Sequence, residues 1–187
     1  CLFGGGVASN TILNTSAYLQ ISRGVASDTT ISSGGSCNLG GGTLKDTVVY
    51  SGGSINGSGT YTGSLYMEKG AEVVVNSKNT LIYDLTSCST LNTSFINDYS
   101  LISGNFGSIV ITVETDQSHG VYRLAEGAAD FSQTITVKDT SGTAYSGIGE
   151  GEFSGKDGNY RNHNKKFNKS KMRCFQGGGR DLFEKSF

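Results

Sequence analysis

The side chains with the most chemistry to offer are four cysteines, two histidines and a recurring acidic position. Cys1, Cys37, Cys88 and Cys174 show no CxxC spacing, so they do not read as the paired ligands of a zinc site. His119 stands in Asp116-Gln117-Ser118-His119-Gly120, from which a Ser-His-Asp set can be written down. Residues so close on one loop do not converge on a nucleophile, and no nucleophile-elbow sequence accompanies them, so the segment reads as a polar turn. The stretch from Gly147 to Lys156 superficially resembles a phosphate-binding loop. Glu150 stands where its first glycine is needed, however, and Asp157 follows Lys156 where Ser or Thr is required. Asp28 and Asp46 fall at equivalent points of two similar segments, and polysaccharide-cleaving β-helix enzymes do gather carboxylates on adjacent coils. Asn10 occupies the preceding equivalent position and Lys45 is the only basic neighbour, which favours a solvated, turn-forming Asx column. The Gly-Gly-x-Gly-x-Asp nonapeptide of calcium-binding β-rolls is absent. No catalytic, cofactor-binding or metal-ligating residue is therefore expected, no cofactor is implied, and the chain reads as a non-enzyme.

The elements that would carry such side chains are set by a skewed composition. The chain has 187 residues with 28 Gly, no Pro, no Trp and only 17% charged residues. Glycine is about double its usual ~7% share and charge falls below the usual ~25%. Collagen is excluded by the missing Gly-X-Y period and the missing proline. The β-branched clusters Val73-Val74-Val75 and Ile109-Val110-Ile111-Thr112-Val113 argue against disorder. No stretch approaches the roughly 20 apolar residues of a membrane helix, so no membrane insertion by this fragment is expected. No leader-like segment precedes Cys1, and the chain is expected to be a fragment. Residues 156–187 hold nine of the fifteen Lys/Arg and three of the sixteen Asp/Glu, a net of +6. The remaining six bases and thirteen acids give residues 1–155 a net of −7, so the body has no field for nucleic acid.

Self-similarity organises the first part of the chain. Gly6-Val7-Ala8-Ser9-Asn10-Thr11 returns as Gly24-Val25-Ala26-Ser27-Asp28-Thr29 and, degraded, as Gly42-Thr43-Leu44-Lys45-Asp46-Thr47, each time 18 residues on. Gly34-Gly35-Ser36-Cys37-Asn38 likewise becomes Gly52-Gly53-Ser54-Ile55-Asn56. Aligned units give apolar columns: Leu13, Ile31, Val49, Met67; Cys1, Leu19, Cys37, Ile55, Val73; Ile21, Leu39, Val75, interrupted by Gly57; and Ala8, Ala26, Leu44. Thr11, Thr29 and Thr47 form a column beside Asn10, Asp28 and Asp46. Apolar positions two apart suit strands with one buried face, and one such unit cannot bury that face alone. Stacked units can. The expected fold is therefore all-β, a parallel β-solenoid with 18-residue rungs over residues 1–77. In-register Asn or Thr side chains can ladder their hydrogen bonds along its axis. Cys1 and Cys37 then lie two rungs apart, about 9.6 Å at ~4.8 Å per rung, beyond the ~7 Å limit for a disulfide. Cysteine as a small apolar core residue is the better reading.

From about residue 78 the period fades, although Leu81 to Leu85, Ile109 to Val113, Gly120 to Ala125 and Thr134 to Val137 still read as strands. Residues 78–155 are expected to form degenerate rungs and a small β cap. The stretch Asn159 to Phe167, with His163, mixes bases and aromatics as single-strand binders do, yet it has no fold around it and reads as a solvated tail. Residues 156–187 are accordingly expected to be a disordered tail or the product of a shifted reading frame. Codons can be chosen for Asp157 to Lys171 that, read one base later, encode Thr-Val-Thr-Ile-Gly-Thr-Thr-Thr-Lys-Ser-Leu-Thr-Lys-Ala, a strand-like continuation of the preceding β region.

The unit Gly-x-Ala-Ser-[Asn/Asp]-Thr-x-[Ile/Val]-x-Ser-Gly-Gly-Ser resembles the short passenger repeats of AIDA-type autotransporter adhesins. The segment Gly120 to Val137 resembles the region that follows such repeats in related bacterial surface proteins. The resemblance spans roughly residues 4–76, and more loosely 100–150. It implies a right-handed β-helix, export from a Gram-negative-type bacterium across its outer membrane, and display at the cell surface for adhesion. Its implied partners are host or bacterial cell-surface receptors or glycans, or further copies by self-association, with no nucleic acid among them. The translocator barrel of that family is not in this chain, and the family has no catalytic motif to carry over. The rival readings are a carbohydrate-active β-helix enzyme of lyase or hydrolase type, and a phage or fibre structural segment.

Overall fold

Fifteen strands, from two to fourteen residues long, follow one another in a computed structural model that describes residues 1–86, 94–114, 120–128, 131–140, 144–148, 152–154 and 171–175. They are β1 (Val7–Ser9), β2 (Ile12–Leu13), β3 (Tyr18–Ile21), β4 (Val25–Ile31), β5 (Ser36–Val49), β6 (Ser54–Met67), β7 (Glu72–Val74) and β8 (Thr80–Asp84). Then come β9 (Ile102–Ser103), β10 (Ser108–Val113), β11 (Gly120–Arg123), β12 (Thr134–Asp139), β13 (Ala144–Ile148), β14 (Glu152–Ser154) and β15 (Lys171–Phe175). From β1 to β10 every strand pairing is parallel, so the chain winds one way and lays each turn on the last. The fold is a parallel β-solenoid of about four 18-residue turns, extended by longer ones.

The columns read from the sequence are strand registers. Leu13 pairs with Ile31, Ile31 with Val49 and Val49 with Met67, and all four are buried. Leu19, Cys37, Ile55 and Val73 form the second buried line. Ile21 and Leu39 begin a third, which reaches Gly57. Burying an aliphatic side chain of this size contributes about 1.5–3 kcal/mol, and each interior residue is sealed only by its neighbours above and below.

Two corner columns bend the chain. One holds Asn10, Asp28 and Asp46 at φ of 51°, 52° and 49°, with Gly63 at 67° on the next turn. Asn, Asp and Gly tolerate this left-handed backbone best, which is why only these three types appear there. The other holds Ser16, Gly34, Gly52 and Gly70, at φ of 66°, 75°, 79° and 96°. Its backbone groups bond straight up the axis: Ser16 N–H to Gly34 O, Gly34 N–H to Gly52 O and Gly52 N–H to Gly70 O, each at 2.9 Å.

Cys1 departs from its expected column. Leu2, not Phe3, bridges to Ile21, a 19-residue step that carries Cys1 off Leu19 and leaves it exposed. Of residues 156–187, five are described. Lys171–Phe175 forms a strand, antiparallel to β11 and parallel to β14 in a separate three-stranded sheet. The rest of that stretch lies outside the described residues.

Stacking does not stop at residue 77. Leu44 pairs with Tyr61, Tyr61 with Leu81, Leu81 with Ile109 and Ile109 with Ile135, so one interior line runs on while the step lengthens from 17 residues to 20, 28 and 26. Tyr83, Ile111 and Val137 make a companion line. The longer turns are braced by aromatic contacts: Tyr61 on Phe106 at 5.6 Å, Tyr99 on Phe131 at 5.4 Å and Tyr83 on Phe95 at 5.5 Å between ring centres. β13 then pairs antiparallel with β12, and the parallel ladder ends there. Among the described residues no helix is long and apolar enough to cross a membrane.

Candidate functional site

The recurring carboxylates, which offered the most chemistry on paper, are absorbed by the corner. Asp46 Oδ1 accepts from Ser64 N–H at 2.8 Å and from the Ser64 hydroxyl at 3.2 Å, and so ties its own turn to the next. The Asx column is thus a turn-forming one. Among the described residues no group of three or more His, Cys, Asp or Glu side chains could hold a metal ion. Cys37 is buried, and burial pushes its thiol up to about 12, which leaves it the un-ionised apolar side chain that its column predicts. Asp116, Ser118, His119, His163, Cys88 and Lys156 lie outside the described residues, as does Glu150, and for Cys174 only the backbone of β15 is described.

The threonine column behaves differently from the expectation of a hydrogen-bonded ladder. Thr29 and Thr47 point into the core, 0% and 2% exposed, and neither hydroxyl has a hydrogen-bond partner. The line continues as Leu65, Ile96 and Ala125, so the position is an apolar one occupied by threonine on three turns, half-buried at Thr11 and fully buried at Thr29 and Thr47. A buried, unpaired hydroxyl is unfavourable, and an apolar group of the same shape removes that penalty. Thr29→Val and Thr47→Val are each expected to raise stability by about 1 kcal/mol. Urea unfolding of the two variants measures it, and a lowered midpoint would mean that the hydroxyls are bonded. The Tyr61 hydroxyl is the third such group; burial, then the neighbouring Cys37, push it well above its ordinary value.

The true ladders are on the outside. Asn38 Nδ2 donates to Asn56 Oδ1, Gln20 pairs in register with Asn38, and the Ser58 hydroxyl donates to Asn76 Oδ1 at 3.3 Å. On another face Val7, Val25, Thr43, Thr60, Thr80 and Ser108 follow one another in unbroken strand register. Beside them run Ser9, Ser27, Lys45, Thr62, Ile82, Val110 and Thr136.

Where these two faces meet, a register slip opens a groove. Gly40 pairs with Ser58 at a step of 18, but Thr43 pairs with Thr60 at 17, so β5 carries one extra residue. A second slip before Thr47, which pairs with Leu65, restores 18. Such bulges bend a strand and re-aim its side chains. The groove has a volume of about 600 Å³, with Gly40, Gly41 and Leu39 on one turn, Gly57 to Thr60 on the next, and Lys78 and Thr80 beyond. The Lys78 backbone is held in place: Asn76 Oδ1 accepts from Lys78 N–H at 2.9 Å, and Asn76 Nδ2 donates to Gly57 O at 3.0 Å. Sequence reasoning missed this groove, because a one-residue slip inside a repeat looks like ordinary degeneracy. Its signal was the glycine run Gly40-Gly41-Gly42 where the preceding unit has Ser22-Arg23-Gly24, a signal blurred by the same run at Gly4-Gly5-Gly6.

These features define a class, the parallel β-solenoid repeat proteins. No protein-family model, no curated protein and no solved structure matches the chain.

Proposed function

We propose that the chain is a non-catalytic scaffold, displayed at the surface of a Gram-negative-type bacterium, that adheres through its outer faces to cell-surface receptors or glycans or to further copies of itself. The observation that carries this reading is the pair of outer columns that hold register from β1 to β10 and, in one case, to β12. A stack of this kind repeats one set of hydroxyl, amide and methyl groups at about 4.8 Å, and the contact area it offers is extended instead of concentrated in a pocket. The carboxylates that recur on adjacent turns, which a glycan-cleaving reading needs, are half-buried or exposed corner residues with a structural use at Asp46. The AIDA-type adhesin repeats that the sequence resembles point the same way.

The test is direct. The purified chain is expected to bind cells or immobilised surface glycans, and Asp46→Ala is expected to keep that binding while losing about 1–3 kcal/mol of stability to the left-handed backbone and the two lost bonds from Ser64. Incubation with a polysaccharide panel should release no new chain ends. Cleavage that disappears in Asp46→Ala would instead make the protein an enzyme.

A further inference from the structure

We infer that the groove beside the β5 bulge is a binding site for an acidic oligosaccharide, a hydroxyl-rich chain that carries carboxylates. This inference rests on the non-catalytic adhesive reading and assigns it a site and a ligand class. The groove is open and spans three successive turns, which suits a chain laid along the surface better than a small molecule enclosed in a cleft. What lines the groove selects the ligand. Gly40, Gly41, Gly57 and Gly59 remove side chains from its floor, so a ring can lie against backbone amide groups. Thr60 and Thr80, adjacent members of the outer hydroxyl column, offer donors and acceptors at the spacing of the rungs. The bonded amides of Asn38 and Asn56 stand two residues before Gly40 and Ser58 on the same two strands. Hydroxyls and amides in such an array suit a polyol better than an apolar or aromatic ligand.

Charge narrows the class further. Among the described residues Lys78 is the one ionic group in the lining, with no carboxylate beside it there. It stands in a part of the chain, residues 1–155, whose net charge is −7, so this cation is a local exception to the surrounding field. A cation held at the rim of a hydroxyl-lined cleft complements an anionic sugar, and the Asn76 contacts that fix its backbone reduce the ordering needed on binding. The glycines are there for close approach of neighbouring turns: a Cβ at Gly57 would press on the Leu39 carbonyl and one at Gly59 on the Gly42 carbonyl, so backbone, not side chain, forms this part of the lining.

Titration calorimetry with a trimer of galacturonic acid, and with neutral galactotriose as its partner probe, tests the proposal on the full chain. The acidic trimer is expected to bind with a Kd of about 1 mM or tighter, and galactotriose at least tenfold more weakly. Lys78→Glu is expected to weaken the acidic trimer at least tenfold while far-UV circular dichroism stays unchanged. Thr60→Val combined with Thr80→Val, which removes both lining hydroxyls without touching Lys78, should weaken binding of both trimers. Equal binding by wild type and Lys78→Glu, or no binding of the acidic trimer at all, overturns the groove assignment, and retained adhesion to cells would then leave the scaffold reading standing. Scission of the trimer has the reverse meaning: the groove stays as the site, and the non-catalytic reading falls.

Discussion

Replacing Ile31 by Asp will unfold the repeat region at neutral pH. Ile31 is fully buried, with Leu13 in register above it and Val49 below. No cationic residue shares that line, and among the described residues no cation is buried at all. An unpaired ion in an apolar line is among the few substitutions that exceed about 4–5 kcal/mol, a large part of the ~5–15 kcal/mol that holds a typical domain together. In a solenoid the loss spreads, because each turn is stable only through its neighbours. The sign with pH is also determined. Burial raises the folded-state pKa of the introduced carboxyl above its ordinary ~3.9, so the defect is smallest below that value and grows as pH rises through it. Ile31→Asn keeps the polarity without the charge and should be less damaging at pH 7, and its penalty should not change with pH between 3 and 7, taken as about that range. Urea unfolding at both pH values, followed by circular dichroism, gives the comparison. A normal midpoint for Ile31→Asp at pH 7 would mean that position 31 does not face the core.

That substitution can be chosen from the sequence alone, and the reason is physical. Over the first turns the step is a constant 18, strands are joined by corners of fixed length, and one face must be buried. Column membership then follows from counting. The same logic placed Asn10, Asp28 and Asp46 at a bend, since only residue types that accept a left-handed backbone recur there. Counting fails wherever the step changes. Cys1 was misplaced by the 19-residue step from Leu2 to Ile21, which sets the start of the chain one residue out. The lines through Leu81 and Ile109 were read as strands but not as continuations of Leu44 and Tyr61, because steps of 28 and 26 residues hide in loop insertions that do not disturb strand stacking. Thr11, Thr29 and Thr47 were read as a column whose hydroxyls can ladder. Threonine is also β-branched and close to valine in shape, and the core accepts it on that basis. The groove was invisible for the same reason as the bulge that makes it: it comes from one extra residue, Gly41 or Gly42, opposite Gly59. No side chain announces such a feature.

The glycine that interrupts the third apolar line carries the other large prediction. In the sequence Gly57 looks like a defect between Leu39 and Val75. In the structure it has a φ of 92°, where a side chain is strained whatever the surrounding space. A Cβ there would also meet the backbone of Leu39, with N at 2.9 Å, C at 3.0 Å and the carbonyl oxygen nearer still. These are main-chain atoms of a paired strand and cannot swing aside as a side-chain tip can. Leu39 and Gly57 are register partners, so pushing them apart opens the ladder at the point where β5 begins its bulge. Gly57→Val combines left-handed strain with a broken ladder and should lose about 3 kcal/mol or more, β-branching making valine the worst of the small choices. Gly40→Ala, one turn earlier, is the matched control: its Cβ meets the movable end of Gln20, and the expected loss is below about 1 kcal/mol. Thermal and urea unfolding of the two variants side by side should separate them clearly. If Gly57→Val unfolded at the midpoint of Gly40→Ala, the close contact between Leu39 and Gly57 would be wrong, and with it the slip in register that shapes the groove.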